Sequence, residues 1–231
     1  MKIHRFIGRY DLSGESVEIL DLETIKQVRG VLRMEVGNRI VLSDGKGKEA
    51  KVTISAILPD KISCSLEALL PLNEPEKKVN LYLAILKKEN FELAVQKAVE
   101  CGVSSITPII TERTVKTGLN MKRLEKIIKE ASEQCGRSIV PRINPILDFS
   151  PALAFGSAGE EKVIFHPSYS PHTPNHTAKS ASIFIGPEGG FTDKELDEAR
   201  AALYTGASLG DLILRGETAS TIATYRTVHN I

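Results

Sequence analysis

Through residues 1–72 apolar positions recur mainly with the period of a strand. Ala50, Val52, Ile54 and Ala56 fall on one face and Lys51, Thr53 and Ser55 on the other, and Ile62, Cys64 and Leu66 repeat the pattern. Arg39 to Ser43 reads as a strand, and Asp44-Gly45 is a hairpin signal with Gly47 adding slack. Asp21 is placed to cap one helical turn that carries Ile25 and Val28 and ends near Gly30. Short strands joined by hairpin turns predict a small β-barrel. Lys46-Gly47-Lys48 has the look of a phosphate loop, but no Ser/Thr or helix follows, so it reads as a hairpin tip.

Residues 71–78 hold two prolines and four charges without periodicity, the features of a linker. Beyond them the pattern changes. Residues 79–86 are predicted as a strand. Asn90 is predicted to cap a helix with Phe91, Ala94, Val95, Ala98 and Val99 on one face, closed by Gly102. Residues 105–110 are predicted as a strand. Asn120 then starts a helix carrying Met121, Leu124, Ile127, Ile128 and Ala131. Strands at 162–165, 182–185 and 212–214, a helix over 193–203 and a last helix from Glu217 complete the reading. Alternating strands and helices of this length imply a mostly parallel sheet covered on both faces. The expected organisation is therefore an α/β chain with a β-rich domain over 1–72 and a parallel-sheet domain over 73–231.

Glycine punctuates two places where chemistry can sit. Ile183, Phe184 and Ile185 run into Gly186-Pro187-Glu188-Gly189-Gly190, and Thr192 with Glu195 forms a capping-box signature for the next helix. A strand end, a glycine turn and a helix N-terminus offer free backbone N–H groups at the carboxyl edge of a sheet. Neither GxGxxG nor a Walker A pattern is present. The second segment, from Leu209-Gly210 to Gly216, places Arg215, Glu217 and Thr218 at the start of the last helix. Taken alone, Arg215 and Glu217 also suit an exposed ion pair. Two such junctions at one sheet edge are able to grip a planar, partly charged ligand from both sides.

Composition narrows the partners. The net charge of +1 leaves nucleic-acid binding to a local patch, and 5% aromatics without tryptophan speak against a surface of base-stacking platforms. Three scattered cysteines without CxxC spacing suit a reducing cytoplasm, with Cys64 and Cys101 as small buried hydrophobes. The opening Met1-Lys2-Ile3-His4-Arg5-Phe6 lacks a signal-peptide core, and no run reaches membrane-spanning length. The long Ser/Pro/His/Thr-rich stretch 167–180 suggests a lid. His172 and His176 within it read as solvated rather than metal-binding, and the Asn175-His176-Thr177 sequon is discounted without a secretory signal.

Ile185-Gly186-Pro187-Glu188-Gly189-Gly190-Phe191, followed by Leu209-Gly210, Ile213-Leu214-Arg215 and Glu217-Thr218-Ala219, resembles the RsmE family of SPOUT-superfamily RNA methyltransferases. The likeness runs through His4-Arg5-Phe6, Val31-Leu32-Arg33 with Gly37, Glu92, Val95-Gln96-Lys97, Glu100, Gly102-Val103, Glu133-Gln134, Arg137 and Val140-Pro141. Departures are Cys101, where leucine is usual, and Gly216, where threonine is common. The resemblance implies a PUA-like β-barrel followed by a trefoil-knotted parallel-sheet domain. It implies methylation of N3 of a uridine in 16S ribosomal RNA of the small subunit, with S-adenosyl-L-methionine as cofactor, no metal, and a homodimer.

On this sequence the implied cofactor residues are Phe165, His166, Ile185, Gly186, Pro187, Glu188, Gly189, Gly190, Leu209, Gly210, Leu212, Leu214 and Thr218. Arg215 would steady negative charge on the base and Glu217 would take the N3 proton. RNA contacts are expected from Arg5, Arg33, Lys97, Arg113, Lys116 and Arg137. Ile222 and Tyr225 on the last helix face either a partner or the core. The alternatives are a catalytically inactive ribosome- or RNA-binding protein of the same fold, and a nucleotide-dependent metabolic enzyme, for which no phosphate-loop motif is found.

Overall fold

The computed structural model describes residues 3–156 and 159–231; Met1 and Lys2, which open the stretch read above, lie outside them. The chain divides into two compact units, Met1–Glu74 with Ser132–Val140, and Pro75–Ala131 with Pro141–Ile231. A single cut after residue 72 does not reach the segment Ser132–Val140, which the sequence pattern places in the second unit.

In the first unit β1 (His4–Ile7), β2 (Ser16–Ile19), α1 (Leu22–Lys26), β3 (Arg39–Ser43), β4 (Glu49–Ile57) and β5 (Ile62–Leu69) follow in order. The sheet runs β1-β3-β4-β5-β2, with β1 parallel to β3 and the other pairs antiparallel. Period-two burial holds in β4, where Ala50, Val52 and Ile54 are sealed against Phe6, Ile19, Ile40, Leu42 and Ile62. The Asp21 carboxylate accepts from the Thr24 N–H at 2.8 Å and caps α1 as expected. The β3–β4 turn closes through Asp44 Oδ1, which accepts from the N–H groups of Lys46 (2.7 Å) and Lys48 (3.0 Å).

The second unit contains β6 (Lys78–Ala84), α2 (Lys88–Glu100), β7 (Ser105–Ile110), α3 (Met121–Cys135), whose last turn belongs to the first unit, β8 (Arg142–Ile143), β9 (Leu147–Asp148), α4 (Phe149–Leu153), β10 (Glu161–Phe165), β11 (Ser180–Ile185), α5 (Asp193–Ala201), β12 (Thr205–Ala207) and α6 (Gly216–His229). Its seven strands pair in parallel, in the order β12-β10-β11-β6-β7-β8 with β9 beside β7. The predicted apolar face of α2, from Phe91 to Val99, is fully buried. Tyr82 and Phe184 stack with centroids 4.4 Å apart at the centre of the sheet. Among the described residues no helix is long and apolar enough to cross a membrane.

Four expectations change. Residues 212–214 form no strand; Leu212 and Ile213 are 81% and 86% exposed. The pairing with β10 is made instead by Thr205–Ala207, too short and small to stand out as a strand signal. Asn90 lies inside the first turn of α2, whose N-cap is Lys87. The 167–180 stretch is tied down: Ser208 accepts from the His172 N–H at 2.9 Å and donates its own to Ser170 at 2.8 Å. His172, expected in solvent, is buried because its ring meets the buried Glu161 carboxylate at 2.9 Å, whereas His176 is exposed.

Candidate functional site

The paired registers bring four strand ends to one level. Phe165 sits opposite both Ile185 and Ala207, and Ile185 opposite Leu83. The connections reverse direction between β6 and β11, the place where open parallel sheets form a ligand crevice. A cavity of about 660 Å³ opens at this edge, within the usual range for small-molecule sites.

Both glycine-bearing segments line it. Phe165, His166, Ile185, Gly186, Pro187, Glu188, Gly189, Gly190, Leu209, Gly210, Leu212, Leu214, Arg215 and Glu217 all face this cavity. Thr218 does not line it and is exposed on the first turn of α6. Lys87, Asn90 and Pro167 line it too, though in the sequence Asn90 has only a capping role, Pro167 is set in the 167–180 stretch and Lys87 is not marked at all. Lys87 and Asn90 follow β6, and only the pairing of β6 with β11 brings them here.

The loop after β11 is held in a fixed shape. Gly190 has φ +70 and its N–H bonds the Pro187 carbonyl at 2.8 Å, a turn that a side chain would strain. A Cβ at Gly186 would lie 3.2 Å from the Phe191 ring. The capping box forms as expected, with Thr192 and Glu195 satisfying each other's backbone N–H groups. Glu188 turns aside to accept from the Lys87 N–H at 3.1 Å, bonding the loop to the start of α2. Gly216 opens α6 against Leu86, whose Cδ2 would lie 2.7 Å from an added Cβ, so a larger residue there would have to displace the Leu86 side chain.

His166 Nδ1 is 2.8 Å from Ser168 Oγ. Burial holds its pKa below the ordinary imidazole range, with Arg113 adding to the effect and Asp193 opposing it, so the ring is neutral near pH 7. Glu217 Oε2 is buried without a hydrogen-bond partner, and among the described residues no ion pair joins it to Arg215. The exposed ion-pair alternative for these two residues is therefore not what the fold builds. Glu217 lines the cavity, while its Oε2 is shut off from solvent. Among the described residues no group of three or more His, Cys, Asp or Glu side chains is arranged to hold a metal ion.

The six basic residues named for RNA separate into two groups. Arg5 pairs with the buried Glu49 at 3.0 Å, and Arg137, itself buried, pairs with Glu74 at 2.5 Å, so both serve the interior of the first unit. Arg113 donates to the carbonyls of Gly189 (2.8 Å) and Phe191 (3.4 Å). Lys97 is half-exposed beside Glu100 at 2.8 Å, and Arg33 and Lys116 are exposed. Sequence gives the charge of each residue but not whether a carboxylate or a carbonyl already holds it.

Comparison with known proteins places this geometry. An RNA methyltransferase domain model matches residues 73–227, and an RNA methyltransferase PUA domain model matches residues 31–67. The chain is 30% identical to the ribosomal RNA small subunit methyltransferase E of Rickettsia conorii over 96% of its own length and 94% of the relative's. Identity reaches 37% with the enzyme of the same name from Mesomycoplasma hyopneumoniae, over 67% of this chain and 71% of the other. The crystal structure of the Neisseria gonorrhoeae ribosomal RNA small subunit methyltransferase E bound to S-adenosyl methionine superposes with a TM-score of 0.89 at 29% identity, covering 96% of this chain and 95% of that one.

Proposed function

Since the chain belongs to the ribosomal RNA small subunit methyltransferase E family, we propose that it methylates N3 of a uridine in small-subunit ribosomal RNA, with S-adenosylmethionine as the methyl donor. The observation that carries this reading is the meeting of two glycine-bearing segments, some twenty residues apart in the chain, on one cavity at the sheet edge. The residues fit the cofactor: both glycine-bearing segments line one cavity, and it has the volume of a small-molecule site.

When bound, the cofactor supplies an electrophilic methyl on a sulfonium, which leaves positioning and charge to the protein. Residues 186–190 and 209–214 hold the cofactor. Glu217, which lines the cavity, accepts the proton that N3 must lose. Arg215 stabilises the negative charge that then develops on the base. RNA contacts fall to Arg33 in the first unit and to Lys97 and Lys116 in the second, which among the described residues no buried partner engages. Cytoplasmic residence and the trefoil knot belong to the same reading.

The test is calorimetry with S-adenosylmethionine followed by methyl transfer to unmethylated small-subunit RNA. Binding with transfer is the expected result; RNA binding without transfer would leave an inactive binder of the same fold. Replacing Arg33, Lys97 and Lys116 together should flatten the salt dependence of RNA binding, and an unchanged slope would move the RNA surface elsewhere.

The reading also includes a homodimer through α6. Tyr225 is 47% exposed there and packs against the His229 ring with centroids 4.5 Å apart. Light scattering should give twice the chain mass, and Tyr225→Asp should shift it toward one chain. A wild-type monomer at working concentration would remove the dimer from the proposal.

A further inference from the structure

The β7–α3 connection meets the glycine loop through three independent contacts. Arg113 reaches across to the carbonyls of Gly189 and Phe191 at 2.8 and 3.4 Å. Its aliphatic stem lies against Gly189, where an added Cβ would come 3.2 Å from Arg113 Cβ and 3.3 Å from Cδ. Beside it the Glu112 N–H donates to Glu195 Oε1 at 2.9 Å, while Glu195 Oε2 accepts from the Thr192 N–H at 2.8 Å. The Thr114 hydroxyl accepts from the Thr111 N–H at 3.0 Å and closes the turn that presents Arg113. One guanidinium thus binds two carbonyls on either side of Gly190, the residue whose positive φ sets the bend.

We propose that Arg113 is a positioning residue for the cofactor loop and not a contact for RNA phosphates. This rests on the assignment of residues 186–190 to the cofactor. With two carbonyls turned onto Arg113 and the Gly190 N–H turned onto the Pro187 carbonyl, the loop's bend is set before any ligand arrives. Removing the guanidinium frees those carbonyls to face solvent and lets the bend relax. Cofactor affinity therefore falls while RNA affinity does not.

The test uses Arg113→Met, which keeps the stem but has no donors, Arg113→Lys, which keeps the charge, and Gly189→Ala, which pushes on the stem from the loop side. Loss of a charge-assisted hydrogen bond corresponds to about a tenfold to hundredfold change in affinity. Arg113→Met should raise the S-adenosylmethionine Kd and KM by that factor, with kcat at saturating cofactor little changed. Gly189→Ala should also raise the S-adenosylmethionine Kd, and Arg113→Lys, able to reach one carbonyl, should recover part of the loss. The salt slope of RNA binding should be that of the wild type in all three. An RNA role predicts the opposite pattern: Arg113→Met would keep wild-type cofactor affinity and lose about one unit of salt slope, with Arg113→Lys restoring it. That result overturns the proposal. If Arg113→Met does not fold, the cofactor Kd of Gly189→Ala and Arg113→Lys decides in the same way. A wild-type protein that binds no S-adenosylmethionine would instead defeat the functional reading on which this one rests.

Discussion

Arg215→Ala is expected to lower methyl transfer by about a hundredfold or more, the usual effect of removing one preorganised group from a site of developing negative charge. Cofactor affinity should stay within about twofold, because no step of binding is assigned to this side chain. The substitution is clean for a structural reason. Arg215 is the N-cap residue of α6, but its side chain makes no capping bond, and it stands exposed at the cavity. Little of the fold depends on it, so a lost rate reports on chemistry. Arg215→Lys should recover only part of the rate, since a point charge does not reproduce the planar fork of a guanidinium. Single-turnover rates with saturating cofactor and RNA measure the effect directly. A mutant that turns over as fast as the wild type would dismiss the role.

How much of this arrangement the sequence reveals depends on whether a signal is local. The 182–195 region is legible because each part works within a few residues: an apolar run, glycines, and a capping box whose two halves are three positions apart. Residues 212–214 mislead for the complementary reason. Leu212, Ile213 and Leu214 have strand propensity, but a strand needs a partner, and the place beside β10 is taken by Thr205–Ala207. The cavity's third wall, Lys87 and Asn90, follows from strand order between segments about a hundred residues apart, which no local pattern records. Charge is the least legible feature. Arg5, Arg113 and Arg137 look like free cations in the sequence, and each is claimed by a carboxylate or a carbonyl distant in the chain. His172 belongs with them, since its place is set by a carboxylate eleven residues earlier.

That carboxylate carries the largest expected effect on stability. Lys77 Nζ donates to Glu161 Oε2 at 2.6 Å, to Asn230 Oδ1 at 2.7 Å and to the Asn175 carbonyl at 3.1 Å. Glu161 Oε1 accepts from His172 Nε2 at 2.9 Å and from the Asn175 N–H at 3.0 Å. Lys77 and Glu161 are 3% and 8% exposed, so the pair joins the residue before β6 to β10, the 167–180 stretch and the residue after α6. Glu161→Gln keeps the shape but leaves the Lys77 ammonium buried without its counter-charge, which costs about 3–5 kcal/mol when one member of such a pair is removed. The double variant Glu161→Gln with Lys77→Met, which removes the stranded charge as well, should regain most of the loss.

Acid should erase the difference. Burial raises the Glu161 pKa, but the bonds from His172, Lys77 and the Asn175 N–H outweigh it and hold the carboxyl below its ordinary 4.5. A carboxyl depressed in the folded state stabilises the protein above its unfolded pKa and loses that contribution as pH falls through the folded one. Denaturant unfolding of wild type and Glu161→Gln should therefore differ by a constant amount from pH 7 down to about 5 and converge below it. A difference under about 1 kcal/mol at pH 7, or one that grows on acidification, would mean that the pair contributes little beyond its hydrogen-bond geometry.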